Sequence, residues 1–100
     1  RTPTPSDSCD AKFMPYFRKF TDANLQVAKQ AVADCLTKLR GHKNWRPDIC
    51  KGNGVDLIIY AARRAEPSGP NPNNDMCLSG IRLIAEAALH DDTEDNFFQA

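Results

Sequence analysis

One hundred residues suffice for one domain with a single modest core. Thirteen Lys and Arg balance thirteen Asp and Glu, so the chain lacks the basic excess expected of a nucleic-acid binder. The longest apolar run, Leu57 to Ala62, is six residues, far short of the roughly 18 a membrane span needs.

The charge is nevertheless uneven. Residues 1–51 carry ten Lys/Arg against five Asp/Glu, and residues 52–100 carry three against eight. The simplest consequence is mutual neutralisation of the two halves on folding; the alternative is a basic binding face. The first residue is Arg1 rather than Met, so a mature or trimmed product is expected, with any signal peptide already removed.

Arg1 to Ser8 has two prolines and no apolar anchor, and is expected to be a flexible tail ahead of a single domain over residues 9–100. In residues 10–20, DAKFMPYFRKF, the phenylalanines Phe13, Phe17 and Phe20 have helical spacing, but Pro15 opposes a helix interior. The segment is assigned to an edge strand. Thr21 to Leu39 is the clearest helix. Thr21 or Asp22 caps it, and Leu25, Ala28, Val32, Cys35, Leu36 and Leu39 recur at three- and four-residue spacing. Lys38 and Arg40 suit its last turn, and Gly41 a left-handed C′ position.

GHKNWRPDIC (41–50) reads as a turn and a short extended piece, because Arg46 precedes Pro47. Trp45 is expected to pack at the edge of the core, with an exposed recognition anchor as the alternative. KGNG (51–54) is a tight turn without the spacing of a nucleotide fingerprint. VDLIIYAARRAE (55–66) fits either a strand or a helix; its β-branched and aromatic content favours a buried strand. A polar, proline-rich loop covers 67–75. A second helix follows from Asn74 or Asp75 to about His90, with Cys77, Ile81, Ile84, Ala85 and Ala88 facing inward and Leu78 beside them. Gly80 lowers its helicity, and a close backbone approach would explain it. Phe97 and Phe98 suit a short closing strand, with an exposed position on a frayed tail as the alternative.

No catalytic motif emerges, and the chain is read as non-enzymatic. None of Ser6, Ser8, Ser68 and Ser79 lies in a G-x-S-x-G elbow. Asp91, Thr93 and Asp95 open like a calcium loop, but Asn96 replaces its glycine. Neither a metal nor another cofactor is expected. Cys9, Cys35, Cys50 and Cys77 contain no C-x2-C pair, and His42 and His90 no H-x3–5-H pair, which argues against zinc. Two disulfides and an extracellular location are expected instead, with four reduced, buried thiols as the alternative.

The resulting order, β-α-β-β-α-β, is an α+β split βαβ arrangement: two helices on a small antiparallel sheet, stabilised by disulfides. In VADCLTKL, GHKNW, CKGNGVDLIIYA and NNDMCLSGIRLIAEAAL this layout resembles the alpha subunit of the smut-fungus killer toxin and similar small secreted fungal effectors. The resemblance implies a secreted, non-enzymatic protein that recognises a protein or surface component of a host or competing cell. It also implies the pairs Cys9–Cys77 and Cys35–Cys50. Recognition would fall on the 67–75 loop and on Lys43, Trp45, Arg46 and Lys51. The alternative architecture makes 10–20 and 55–66 helical. Phe13, Phe17, Ile58, Ile59, Ile84 and Leu89 then line a cavity for a lipid or other apolar ligand in a small secreted all-α four-helix carrier.

Overall fold

The computed structural model describes residues 2–89, and every regular element in that range is helical. The elements are α1 (Met14–Phe20), α2 (Leu25–Gly41), a 3-10 turn over Lys43–Trp45 that leads into α3 (Arg46–Ile49), α4 (Gly54–Arg64) and α5 (Asn74–Ala88). No sheet forms among the described residues, so the α+β split βαβ assignment is corrected to all-α. The proposed closing strand at Phe97–Phe98 lies outside the described residues.

Each misassigned strand has a physical cause. Pro15 stands in the first turn of α1. There its missing N–H has no helical acceptor to lose, and its fixed φ suits the helix. Pro47 plays the same part in α3, and Arg46 before it is helical at φ −56° and ψ −47°. Across α4, Leu57, Ile58, Ala61 and Ala62 are buried, as is Ala65 just past its end. Packing against both α1 and α5 uses up the β-branched run, and tertiary burial overrides strand propensity.

The two firm helices keep their places but shift their ends. Asn24 caps α2, accepting a hydrogen bond from the Gln26 N–H at 3.0 Å, and Asn73 caps α5 through Met76 N at 3.0 Å. Gly41 is the last helical residue of α2; the left-handed glycine is Gly52, at φ 59°, where the N-terminal arm crosses the chain. A Cβ on Gly52 would come within 2.7 Å of the Cys9 backbone nitrogen. The arm itself is held by Asn53, whose side chain accepts from Ser6 N at 2.9 Å and donates to Thr4 O at 2.8 Å.

Phe13, Phe17, Phe20, Val32, Leu39, Ile49, Leu57, Ile58, Met76 and Leu83 are fully buried. Each large apolar side chain removed from water contributes about 1.5–3 kcal/mol. α2 and α5 run parallel: Lys29 pairs with Asp75 and Arg40 with Glu86, each at 3.7 Å, the second pair eleven residues further along both helices. α4 returns antiparallel to α5, and the two meet where a Cβ on Gly80 would stand 2.8 Å from that of Ala62. The close backbone approach anticipated at Gly80 is therefore present. The inward face of α5 is turned from the expected one: Met76, Gly80, Leu83 and Ala87 are buried, while Leu78 and Ile81 are exposed.

All four cysteines are free. Cys9 sits beside Asn53 at the start of α4, and its Sγ donates to Asn53 Oδ1 at 3.2 Å. Cys50 lies near the end of α5, 3.8 Å from the Ala87 carbonyl. Cys77 is in the first turn of α5. Ten residues of helix, about 15 Å, separate the levels of Cys77 and Ala87, whereas a disulfide needs Cα atoms about 4.4–6.8 Å apart. Cys9, Cys35, Cys50 and Cys77 are all unpaired, so the Cys9–Cys77 and Cys35–Cys50 pairs are corrected to four thiols. With them falls the basis for a secreted, disulfide-stabilised effector scaffold bearing a signal peptide. Burial pushes the Cys35 thiol up to about 12 and raises Cys50 as well. At about pH 8, a thiol reagent should therefore titrate four thiols in unreduced protein unfolded by guanidinium but leave Cys35 unmodified in the native state. Fewer than four in the unfolded, unreduced protein would restore a disulfide.

Candidate functional site: a groove between the first two helices

α1 and α2 form a helical hairpin joined by Thr21–Asn24. Along its outer side runs an open groove of about 510 Å³, lined by Lys12, Pro15, Tyr16 and Lys19 from the first arm and by Gln26, Val27, Gln30, Ala31 and Asp34 from the second. Both sets follow helical spacing: 12, 15, 16, 19 on one side and 27, 30, 31, 34 on the other. Pro15, Tyr16, Val27 and Ala31 present the apolar surface. The rim is polar, and Gln30 donates to Asp34 across one helical turn at 2.9 Å. Burial, followed by the nearby Cys35 and Asp34, raises the Tyr16 hydroxyl above its ordinary pKa. Tyr16 therefore stays neutral and offers a hydrogen-bond donor at the groove wall.

One end of the groove is fixed by an ion cluster. Lys12 Nζ lies 2.8 Å from Asp48 Oδ2 and 3.0 Å from Asp10 Oδ1. Lys51 adds a second cation, 3.2 Å from Asp48 Oδ1. Hydrogen bonds with Asp48 and then Asp10 raise the Lys12 pKa; the Lys12 backbone N–H and then its side chain lower that of Asp10, and the Lys12 side chain lowers that of Asp48. The same ammonium stands 5.4 Å from the centre of the Trp45 ring and 5.7 Å from that of Phe13. Trp45 in turn stacks on His42 at 3.8 Å and meets Phe13 edge-on at 6.1 Å. Lys12 is thus held in place by carboxylates and aromatic faces together, whereas Lys19 at the other end is exposed.

The four residues singled out from sequence for partner binding do not form one exposed patch. Lys43 is exposed on the 3-10 turn, and Trp45 is half-buried. Arg46 is bound to Glu86 through Nε at 3.1 Å and through Nη2, and donates from Nη1 to Leu89 O at 3.0 Å. That ties α3 to the end of α5. Lys51 belongs to the ion cluster. The 67–75 loop is also tied down: buried Arg64 donates from Nε to Asn71 Oδ1 at 2.9 Å and from Nη1 to the Phe20 carbonyl at 3.0 Å.

The cavity expected in the core is absent in that form. Phe13, Phe17 and Ile58 are sealed inside, Ile59 and Ile84 are half-buried, and Leu89 is exposed, so these six do not line a common space. The groove does not show in the sequence while residues 10–20 are taken for a strand. The signal lay in the matched spacing of 12, 15, 16, 19 and 27, 30, 31, 34, which becomes informative once both segments are helical. Comparison with protein-family models, with curated proteins and with solved structures gives no match for this chain.

Proposed function

We propose that the chain is a non-enzymatic helical binding protein that carries a lipid or other apolar ligand in the groove between α1 and α2. The observation supporting this is the groove itself. Its volume of about 510 Å³ lies inside the roughly 300–1,000 Å³ range of small-molecule sites. The ligand's apolar body lies against Pro15, Tyr16, Val27 and Ala31, and a polar or anionic head group meets Lys19 and the amides of Gln26 and Gln30. The core is closed by three phenylalanines, so the ligand takes this outer groove rather than an internal cavity.

A ligand of about 20 heavy atoms, at roughly 0.3 kcal/mol each, gains about 6 kcal/mol, a Kd of tens of micromolar. Titration with a fluorescent medium-chain fatty acid should reach saturation in that range. Val27→Trp, which places an indole over the groove without entering the core, should weaken binding at least about tenfold. Lys19→Glu should weaken a fatty acid but spare the corresponding alcohol. Absence of binding by either probe, or binding indifferent to Val27→Trp, removes the reading.

A further inference from the structure

We propose that α5 pairs, antiparallel and through its outer face, with the same face of a second copy of this chain. Within one copy α5 buries Met76, Gly80, Leu83 and Ala87. The opposite side carries Leu78 and Ile81, 46% and 53% exposed, with Ala85 and Ala88 continuing the stripe. The spacing 78, 81, 85, 88 alternates three and four residues, the pattern of a coiled-coil seam rather than of scattered surface apolars.

Charge selects the occupant. Asp75 and Arg82 stand seven residues apart on the same flank of that seam, two turns or about 10 Å along the axis. Both are exposed, and the Asp75 side chain is 85% exposed despite Lys29 at 3.7 Å. When a helix pairs antiparallel with its copy about a two-fold axis, each flank meets the same flank of the partner. The register that sets Asp75 against the other copy's Arg82, twice, also sets Leu78 against the other copy's Ile81, twice. Charge and apolar contacts thus agree on one alignment. A parallel pair would turn Asp75 and Arg82 toward Cys77 and Ile84 and leave both charges without a complement. The seam is short, so the association is weak and depends on concentration. This inference is independent of the groove.

Sedimentation equilibrium of the full chain, from about 10 μM to 1 mM, should show a monomer–dimer equilibrium. Asp75→Arg and Arg82→Asp should each weaken dimerisation about tenfold by placing like charges opposite one another, and the double exchange should restore it to within about threefold. Leu78→Asp should leave a monomer with an unchanged helical circular dichroism spectrum. A monomer throughout that range overturns the proposal. So does a dimer insensitive to the single reversals, or one that the double exchange fails to restore.

Discussion

Replacing Phe17 by alanine should lower the stability of this domain by about 3–5 kcal/mol, the largest loss expected from a single side-chain truncation here. The ring has no exposed surface and joins the first helical arm to α4. It stacks on Phe13 at 6.0 Å with a 26° tilt and meets Phe20 nearly edge-on at 5.6 Å. Its outer edge also faces the first residue of α4, since a Cβ on Gly54 would lie 3.2 Å from Phe17 Cζ. Little can collapse into the vacated space, because α1 has only seven residues and its far end is held by Arg64 at the Phe20 carbonyl. For a chain of this length the loss corresponds to a fall in Tm of roughly 15–30 °C. Phe17→Leu keeps most of the volume and should lose about 1–1.5 kcal/mol. Urea unfolding followed at 222 nm measures both. Equal, small losses would mean that Phe17 is not the joint between α1 and α4.

The same residue shows what the sequence could and could not reveal. Phe13, Phe17 and Phe20 have helical spacing, but Pro15 opposes a helix when the segment is read alone. Proline is a breaker only where an N–H is needed, and the first turn needs none. The α2 and α5 helices were legible because each has a sustained apolar period of its own. Their caps were misplaced by one to three residues, since Asn24 and Asn73 each compete with neighbouring short polar side chains for the same role. α4 carries a distinct apolar face of its own, with Leu57, Ile58, Ala61 and Ala62 buried and Val55, Asp56 and Arg63 exposed; its spacing fits a helix as well as a strand, and the β-branched and aromatic run Val55–Tyr60 tips the segment toward a strand when it is read alone.

The α5 face differs from the expected one for a related reason. Gly80 offers no side chain to count as apolar, yet it is the point of closest approach, and it sets which way Leu78 and Ile81 point. The groove arises from the contact of two segments, so no single stretch carried it. The cysteines illustrate the converse. Their number suggested a framework, but each lies at a different level or side of the helical array, and number says nothing about distance.

Gly54→Ala should cost about 3 kcal/mol, although it adds only one methyl group to a helix. Alanine is ordinarily the better helix former, by about 1 kcal/mol. At this position, however, the added Cβ would stand 2.1 Å from the Ile49 carbonyl oxygen and 3.2 Å from its carbon. The obstacle is backbone, so no rotamer change relieves it; α3 and α4 must separate. Separation would pull Asp48 away from Lys12 and disturb Ile49, which is completely buried. Gly41→Ala provides the matched control. That glycine ends α2 without a positive φ and has nothing within 4 Å of its Cβ direction, so alanine there should stabilise by about 0.5–1 kcal/mol. The two substitutions are chemically identical, and their opposite signs would isolate the close approach from helix propensity. A Phe17→Leu background tests which neighbour limits the site. If the Ile49 carbonyl does, the loss at Gly54 persists in that background; if the Phe17 ring does, much of the loss disappears. Thermal melts of the four combinations distinguish the cases, and a neutral Gly54→Ala would show that α3 and α4 do not meet as closely as this geometry requires.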